Sequence, residues 1–153
     1  MSDQIAFKCQ LKQYAISIIE KRIVAASKAV EEAQQSANGE QKSSAGDKYE
    51  TSRAMGHLSK EMHTGQLAAQ LNELALLLAI PETKLFAVPG PGAFVRCGSL
   101  GFFIASGLGR QKVGDLEVYF VSPQAPLAVL LQGKSIGDSI RFREDGYLIT
   151  EIF

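Results

Sequence analysis

Two carboxylates three residues apart are the side chains in this sequence best suited to do chemistry together. Asp47 and Glu50 lie in the stretch Ser-Ala-Gly-Asp-Lys-Tyr-Glu-Thr-Ser-Arg, residues 44–53, which follows a polar turn containing Asn38 and Gly39. At the start of a helix this spacing puts both carboxyl groups on one face, where their oxygens can bind a hard divalent cation. Mg²⁺ prefers about six oxygen ligands. The pair would therefore supply part of a coordination shell that another molecule completes.

The same pair also fits a structural role. An Asp that caps a helix, with a Glu three residues later, forms a capping box in which the side chains bind free backbone N–H groups. Spacing alone does not separate capping from metal binding. Both interpretations put the start of a second helix near Asp47.

Two long amphipathic segments flank these carboxylates. Apolar residues recur at helical spacing over residues 4–35 and again over residues 48–78. A helix of about 32 residues would be roughly 48 Å long and would need a partner to bury its apolar face. In the first segment the seam changes from Ile and Leu to Ala toward the turn, which would let a partner helix approach closely. We therefore expect an antiparallel two-helix coiled-coil hairpin over residues 1–80, with its tip at about residues 37–50.

The expected contact stripe of the second helix consists of large apolar side chains. They are Met55, Leu58, Met62, Leu67, Leu71, Leu74 and Leu78. The spacing slips near Gly65, where we expect an irregularity in the helix.

Basic side chains also follow the hairpin. They are Lys21, Arg22, Lys28, Lys42, Lys48 and Arg53. Such a track would suit single-stranded nucleic acid, and Lys42, Lys48 and Arg53, nearest the tip, are the candidate RNA contacts. The acidic residues interleaved with them are equally typical of a solvated helix surface with paired charges.

After Pro81 the sequence consists of short apolar runs separated by Gly and Pro, the pattern of a small β-rich domain over residues 81–153. We expect strands at residues 85–88, 94–97, 100–105, 117–121, 139–143 and 147–152, and a short helix at residues 126–132. Asp145-Gly146 predicts a type I′ hairpin turn between the last two strands, because that turn needs positive φ at both central residues. The Gly-rich stretches at residues 89–92 and 107–109 fit turns better than phosphate-binding loops. The predicted fold class is α+β.

Composition limits the location and the partners that we expect. Lys plus Arg and Asp plus Glu number 16 each, so a broad basic surface for duplex nucleic acid is not expected. The first residues lack the basic start and apolar run of a signal peptide, and no apolar stretch approaches membrane-spanning length. Cys9 and Cys97 lie in different halves and do not make a disulfide framework. A cytoplasmic protein without a membrane partner is the simplest expectation.

Two blocks of this chain resemble a known family, the bacterial transcript cleavage factors GreA and GreB. That family has an N-terminal antiparallel coiled coil, with Gly-Asp-x-x-Glu-Asn at its tip, followed by an FKBP-like β domain. Residues 46–51 read Gly-Asp-Lys-Tyr-Glu-Thr and match at all but the last position. The second block comprises Ala125-Pro126, Gly133-Lys134, Gly137-Asp138 and the strand Tyr147-Leu148-Ile149-Thr150-Glu151-Ile152. The resemblance implies an FKBP-like antiparallel β domain with one short helix in residues 81–153.

The resemblance also implies an accessory factor, not an enzyme in its own right. The coiled coil would enter the secondary channel of RNA polymerase, where Asp47 as principal ligand and Glu50 as helper would share a Mg²⁺ with the polymerase. The polymerase would then hydrolyse its own backtracked nascent RNA. Ser122, Pro123 and Pro126 would contact the polymerase at the rim of the channel. The isolated chain would be a monomer that binds no metal tightly.

The chain departs from the family pattern at three positions, which leaves other functions open. Thr51 stands where the family usually has Asn, Ala125 where it has Ser, and Val129 where it often has Arg. The first alternative is a non-cleaving Gre-like regulator that docks on RNA polymerase and competes with other channel factors. More remote alternatives are an FKBP-like isomerase or chaperone, although the chain lacks the Trp usual in such pockets, and a structural adaptor whose hairpin dimerises.

Overall fold

The computed structural model describes residues 2–40 and 46–153, with side chains described for residues 3–36, 50–51 and 53–153. Two long helices come first, α1 (Ser2–Glu40) and α2 (Gly46–Ala79). In this described part of the chain seven strands follow, together with one short helix, α3 (Pro126–Leu131). The fold is therefore α+β, as predicted, with an N-terminal helix pair and a mainly antiparallel C-terminal sheet. None of the helices within these described residues is long and apolar enough to cross a membrane.

The chain divides into two compact units. One unit comprises Met1–Ile16 and Ala75–Phe153, and the other comprises Ser17–Leu74. The first turns of α1 and the last turns of α2 therefore belong with the sheet, whereas the sequence boundary at residue 80 assigns them to the hairpin. We call the two units the sheet unit and the helical unit.

The helical unit is an antiparallel helix pair with a narrow seam. From α1 the seam contains Ile19, Ile23, Ala26, Val30 and Ala33, of which Ile19 and Ala33 are buried. From α2 it contains the half-buried residues Gly56, Lys60, His63, Leu67, Gln70 and Leu74. Both sets follow alternating steps of three and four residues, the repeat of a coiled-coil seam. Small residues of both helices, such as Ala29 and Gly56, line one shared crevice, so the helices approach closely there.

The predicted contact stripe of α2 is wrong in its N-terminal half. Met55, Leu58 and Met62 are 61%, 59% and 55% exposed, and only Leu67 and Leu74 of the stripe lie on the seam. Small or polar residues occupy the seam at this end of α2, where long methionine side chains would keep the helices apart. The irregularity expected near Gly65 is also absent, because α2 is continuous through this residue in the described chain.

The sheet unit contains a five-stranded sheet. Its strands are β1 (Phe94–Cys97), β2 (Leu100–Ile104), β3 (Gly109–Val113), β4 (Leu116–Val121) and, after two further strands, β7 (Glu151–Ile152), in the order β3-β4-β2-β1-β7. Neighbours pair antiparallel except β2 and β4, which are parallel with Leu100 opposite Glu117. The remaining strands, β5 (Ser139–Phe142) and β6 (Asp145–Leu148), form a separate hairpin.

The sheet is covered on both faces. Side chains alternate between faces along a strand, and Phe102 contributes to a core with Ala128 and Leu131 of α3. On the opposite face the rings of Phe7 and Phe94 lie 5.0 Å apart, centroid to centroid, so the first turns of α1 pack there. Double coverage explains why every residue of β2 is buried.

In the sheet unit one predicted strand is absent, one observed strand was not predicted, and the predicted strand at residues 147–152 is divided between β6 and β7. Residues 85–88 form no strand, and the neighbouring Lys84 carbonyl and Phe86 ring contact Lys8 instead. The sequence also gave no sign of β3, whose residues are mostly exposed. β3 is an edge strand, and edge strands often carry charges that discourage pairing with other chains.

The β5–β6 turn lies two residues before the predicted Asp145-Gly146 turn. Phe142 pairs with Asp145, and the central residues Arg143 and Glu144 have φ of 53° and 71°, as a type I′ turn requires. The observed register places Ile140 opposite Tyr147, both part of the core or packed against it. A turn at Asp145-Gly146 would pair Ile140 with Glu151 instead. Burial of the apolar face therefore fixed the register over the local turn preference.

Candidate functional site

The two candidate metal ligands lie at the connecting end of the helix pair. α2 begins at Gly46, so the backbone of Asp47 and Glu50 is helical and the two residues are one turn apart. The Glu50 side chain is exposed. The side chain of Asp47 lies outside those described. The three-residue separation of Asp47 and Glu50 in the sequence therefore corresponds to about one turn of helix in the backbone.

The candidate RNA contacts are only partly covered by the structure. Arg53 is exposed on α2, one turn beyond Glu50. Lys48 lies in the first turn of α2, but its side chain is outside those described, and Lys42 is outside the described residues altogether.

Two carboxylates at the tip are the kind of donor that could supply part of a magnesium site. Carboxylate oxygens are ligands that Mg²⁺ prefers, and Mg²⁺ sites often use one or two carboxylates together with phosphate and water oxygens. Among the residues that the structure describes, no group of three or more His, Cys, Asp or Glu side chains could hold a metal ion.

The candidate docking residues lie between β4 and the start of α3. Ser122 and Pro123 are half-buried, and the Ala125 N–H donates to the Ser122 carbonyl at 3.0 Å, which closes a turn. Pro126 is the first residue of α3 and is exposed. Its missing N–H costs nothing there, because the first N–H groups of a helix have no partner within the helix. Ala125 gives no side-chain cap, so Pro126 and the turn define where α3 begins.

An exposed apolar surface on α3 lies next to these candidate residues. Ala128 and Leu131 are buried in the core, whereas Val129 and Leu130 are 53% and 40% exposed. We call Pro126, Val129 and Leu130 the α3 surface. Pro126 was predicted as a docking residue and Val129 was noted as a departure from the family pattern, but Leu130 was missed. A signal was present, because a short helix that is apolar all round can bury only one face against a core.

Two buried lysines, also missed, hold the segment between α2 and β1. Lys12 Nζ donates to the Ile80 carbonyl at 2.8 Å and to the Leu78 carbonyl at 3.3 Å, and it lies 3.8 Å from Glu82 Oε1. Carbonyls at the end of a helix have no partner within the helix. Lys12 therefore acts as a cap for α2 supplied by α1.

Lys8 binds the next part of the same segment. Its Nζ donates to the Lys84 carbonyl at 2.7 Å and lies 4.5 Å from the centroid of the Phe86 ring. Burial lowers the pKa of Lys8 to about 8. Because only 1% of Lys8 is exposed, it is a structural cation with no room for a substrate.

The cysteines are poor candidates for nucleophiles. Burial raises the pKa of Cys97 to about 11. A hydrogen bond to Glu82, followed by desolvation, raises the pKa of Cys9. A reactive cysteine needs a lowered pKa, because the thiolate is the nucleophile.

No protein-family model matches this chain, and a search of curated proteins finds no match either.

Proposed function

We propose that this chain is an RNA-polymerase-binding transcription elongation factor of the Gre type, which stimulates cleavage of backtracked transcripts in the cytoplasm. The observation that carries the proposal is the position of Asp47 and Glu50 on one helix, directly after the five residues that connect α1 and α2. A metal ligand pair at the connecting end of a hairpin can be presented to another macromolecule. Such a pair would complete a site without forming one alone.

Each tip residue has a defined role in this proposal. Asp47 is the principal carboxylate ligand and Glu50 assists it, with the helical backbone fixing their separation before the partner is met. The exposure of Glu50 leaves its oxygens available. Mg²⁺ bound between these carboxylates and the polymerase would stabilise negative charge during phosphodiester hydrolysis. Arg53, with Lys42 and Lys48, would contact the phosphates of the nascent RNA.

Two further features support a role inside a channel on a large partner. The small residues Ala29, Ala33, Gly56 and Ser59 line the crevice of the helix pair near its connecting end, and small residues keep paired helices close. The α3 surface supplies an exposed apolar contact for the rim of the channel, next to Ser122 and Pro123. Exposed apolar patches commonly mark protein interaction sites.

The test is release of RNA 3′ fragments from a backtracked elongation complex of the cognate polymerase at fixed Mg²⁺. The unchanged protein should stimulate release, and Asp47→Asn should return it to the level without the protein. Glu50→Gln should reduce it less. Glu61→Gln, an exposed carboxylate of α2 eleven residues further along, is the matched control and should keep full activity.

Polymerase binding must be measured on the same samples. If Asp47→Asn binds but does not stimulate release, the tip provides the cleavage chemistry. If the unchanged protein binds without any release, the non-cleaving regulator is the correct function. Absence of binding would reject both.

The exposed apolar stripe of α2 favours one second candidate, a structural adaptor that dimerises through its hairpin. Met55, Leu58 and Met62 recur at steps of three and four residues and are exposed in the single chain, so a second copy would cover them. Sedimentation at micromolar concentration separates the two candidates. A monomeric protein would exclude the adaptor function. A dimer that dissociates when Met62 is changed to Lys would support it.

A further inference from the structure

A cleft of about 550 Å³ lies within the sheet unit, between the first turns of α1 and the sheet. Its floor consists of three phenylalanine rings. The centroids of Phe7 and Phe94 are 5.0 Å apart, those of Phe94 and Phe153 are 5.1 Å apart, and those of Phe7 and Phe153 are 6.3 Å apart. Phe94 and Phe153 are buried. Phe7 is half-buried, so it is the ring of the three that a ligand can contact, and the two buried rings support it from below.

The rim of the cleft carries an excess of negative charge. Asp3 comes from α1, Asp115 from the turn between β3 and β4, and Glu151 from β7. Among the described residues that line the cleft, one is a cation, Arg96, whose Nε donates to the Gly98 carbonyl at 2.9 Å. Among the side chains that the structure describes, none of these three carboxylates forms an ion pair. The formal net charge of the chain is zero, so this excess is local.

Some of these carboxylates have a partial structural explanation. Asp3 lies in the first turn of α1, where a negative charge is favourable. Asp115 follows Gly114, which has a φ of +63° and forms the turn. Glu151 lies directly opposite Arg96 in the antiparallel β7–β1 pair, so the two charges share one face of the sheet, although no ion pair joins these two described side chains. An unpaired carboxylate beside an aromatic floor is consistent with an external cation.

We propose that this cleft binds a basic peptide segment of a partner protein, with one apolar side chain on the phenylalanine floor and flanking Lys or Arg side chains on the rim. The aromatic rings favour an apolar anchor, and the carboxylates favour cations and reject acidic segments. Among the described residues no three carboxylates are grouped closely enough to hold one metal ion, so a single ion cannot contact all three of these. A peptide with cations on both sides of its anchor can. The proposal does not depend on the tip or on RNA polymerase.

Fluorescence anisotropy with a labelled Gly-Lys-Arg-Phe-Lys-Arg-Gly peptide tests this on the full chain. We expect saturable binding that weakens as salt increases. Two changes should each raise Kd: Ala in place of the peptide Phe, and Asp115→Asn with Glu151→Gln in the protein, the latter by about fivefold because exposed ion pairs are individually weak. A peptide with Glu at the four basic positions should not bind.

The matched control removes the same two charges elsewhere. Glu20→Gln with Glu31→Gln changes two exposed carboxylates of the helical unit and should leave Kd unchanged. Equal weakening by both double variants would mean attraction to net charge and would overturn the proposal, as would no saturation at millimolar peptide. If the cleft variant unfolds, NMR titration of the unchanged protein decides, since the amides of Phe7, Arg96 and Ser99 should shift before all others.

Discussion

The ammonium group of Lys8 donates a hydrogen bond to the backbone oxygen of Lys84, at 2.7 Å and across 76 positions of sequence. Together with the Lys12 contacts to Leu78 and Ile80, it ties α1 to the segment that leaves α2. A buried ammonium group can donate hydrogen bonds to several backbone carbonyls that have no other donor. Its cost is desolvation of the charge, and this cost makes the contact sensitive to pH.

Titration of Lys8 should therefore increase stability with pH, starting at about pH 8. The pKa of Lys8 is lowered by burial from 10.5 to about 8. Between these values the unfolded chain binds a proton that folded Lys8 has lost, so Lys8 increases the free energy of unfolding with pH by up to about 3 kcal/mol. From about pH 9 the raised pKa values of Cys9 and Cys97 act in the opposite direction, so the difference between the unchanged protein and Lys8→Met isolates the Lys8 contribution. Urea denaturation between pH 7.5 and 10.5 measures this increase.

The control variants for this prediction separate Lys8 from its neighbours. Lys8→Met keeps most of the apolar volume and should remove the increase. Lys112→Met, an exposed lysine of β3, should retain it. The charged groups Lys12, Glu82 and Lys84 stay unchanged in both variants. Parallel pH profiles for the unchanged protein and Lys8→Met would contradict the prediction.

The seam of the helix pair predicts which apolar residues of the hairpin matter for stability. Ile19 is fully buried, so Ile19→Ala should lower the free energy of unfolding by about 2–4 kcal/mol through a cavity and lost transfer energy. Met62→Ala removes a side chain that is 55% exposed and should change it by less than about 0.5 kcal/mol. Chemical denaturation of both variants measures the difference. Comparable losses would show that the stripe of α2 packs inside the protein.

The sequence predicted the helices and their antiparallel pairing because two long runs without Pro carry a 3.6-residue period. It did not predict the contact face of α2. Periodicity identifies a stripe but not its partner, and here the partner face consists of residues such as Gly56 and His63. Hydrophobicity alone ranks Met55 and Leu58 above these. Close approach of two backbones favours small residues and so reverses that ranking.

In the sheet unit, local sequence patterns predicted β1, β2, β4 and α3. They did not predict elements whose conformation depends on contacts with distant parts of the chain. Arg110 and Lys112 give β3 the composition of a loop, although a neighbouring strand pairs with it along its whole length. The tip motif could be found because Asp47 and Glu50 have a distinctive spacing. Lys8 could not, since a lysine on an amphipathic helix resembles any solvated lysine until its partner carbonyl is known.

The α3 surface should dominate affinity for RNA polymerase in the proposed function. Leu130→Asp puts a charge into an apolar contact and should weaken polymerase binding at least about tenfold, equal to ~1.4 kcal/mol. Leu148→Asp changes another exposed apolar residue, in β6, and is the matched control. Binding to immobilised polymerase gives both affinities, and thermal unfolding should be nearly unchanged in each. Equal affinities for the two variants would place the contact elsewhere.

We expect Gly→Ala substitutions at two positions to change the stability of the protein in opposite directions. A Cβ on Gly101 would clash with Cζ and Cε2 of the Phe94 ring. That ring is fully buried against Phe7 and Phe153, so Gly101→Ala should cost about 1–3 kcal/mol by overpacking. A Cβ on Gly65, within α2, meets nothing within 4 Å. Gly65→Ala should stabilise the protein by about 0.5–1 kcal/mol, because Ala loses less backbone entropy in a helix.

Thermal and urea unfolding of the two glycine variants measure these opposite signs. Gly101→Ala should also weaken the basic peptide, because a displaced Phe94 ring disrupts the floor of the cleft. Gly65→Ala leaves the cleft unchanged and should bind the peptide as the unchanged protein does. A stable Gly101→Ala variant with normal peptide affinity would mean that Phe94 can move freely. The three phenylalanine rings would then be too mobile to anchor a ligand.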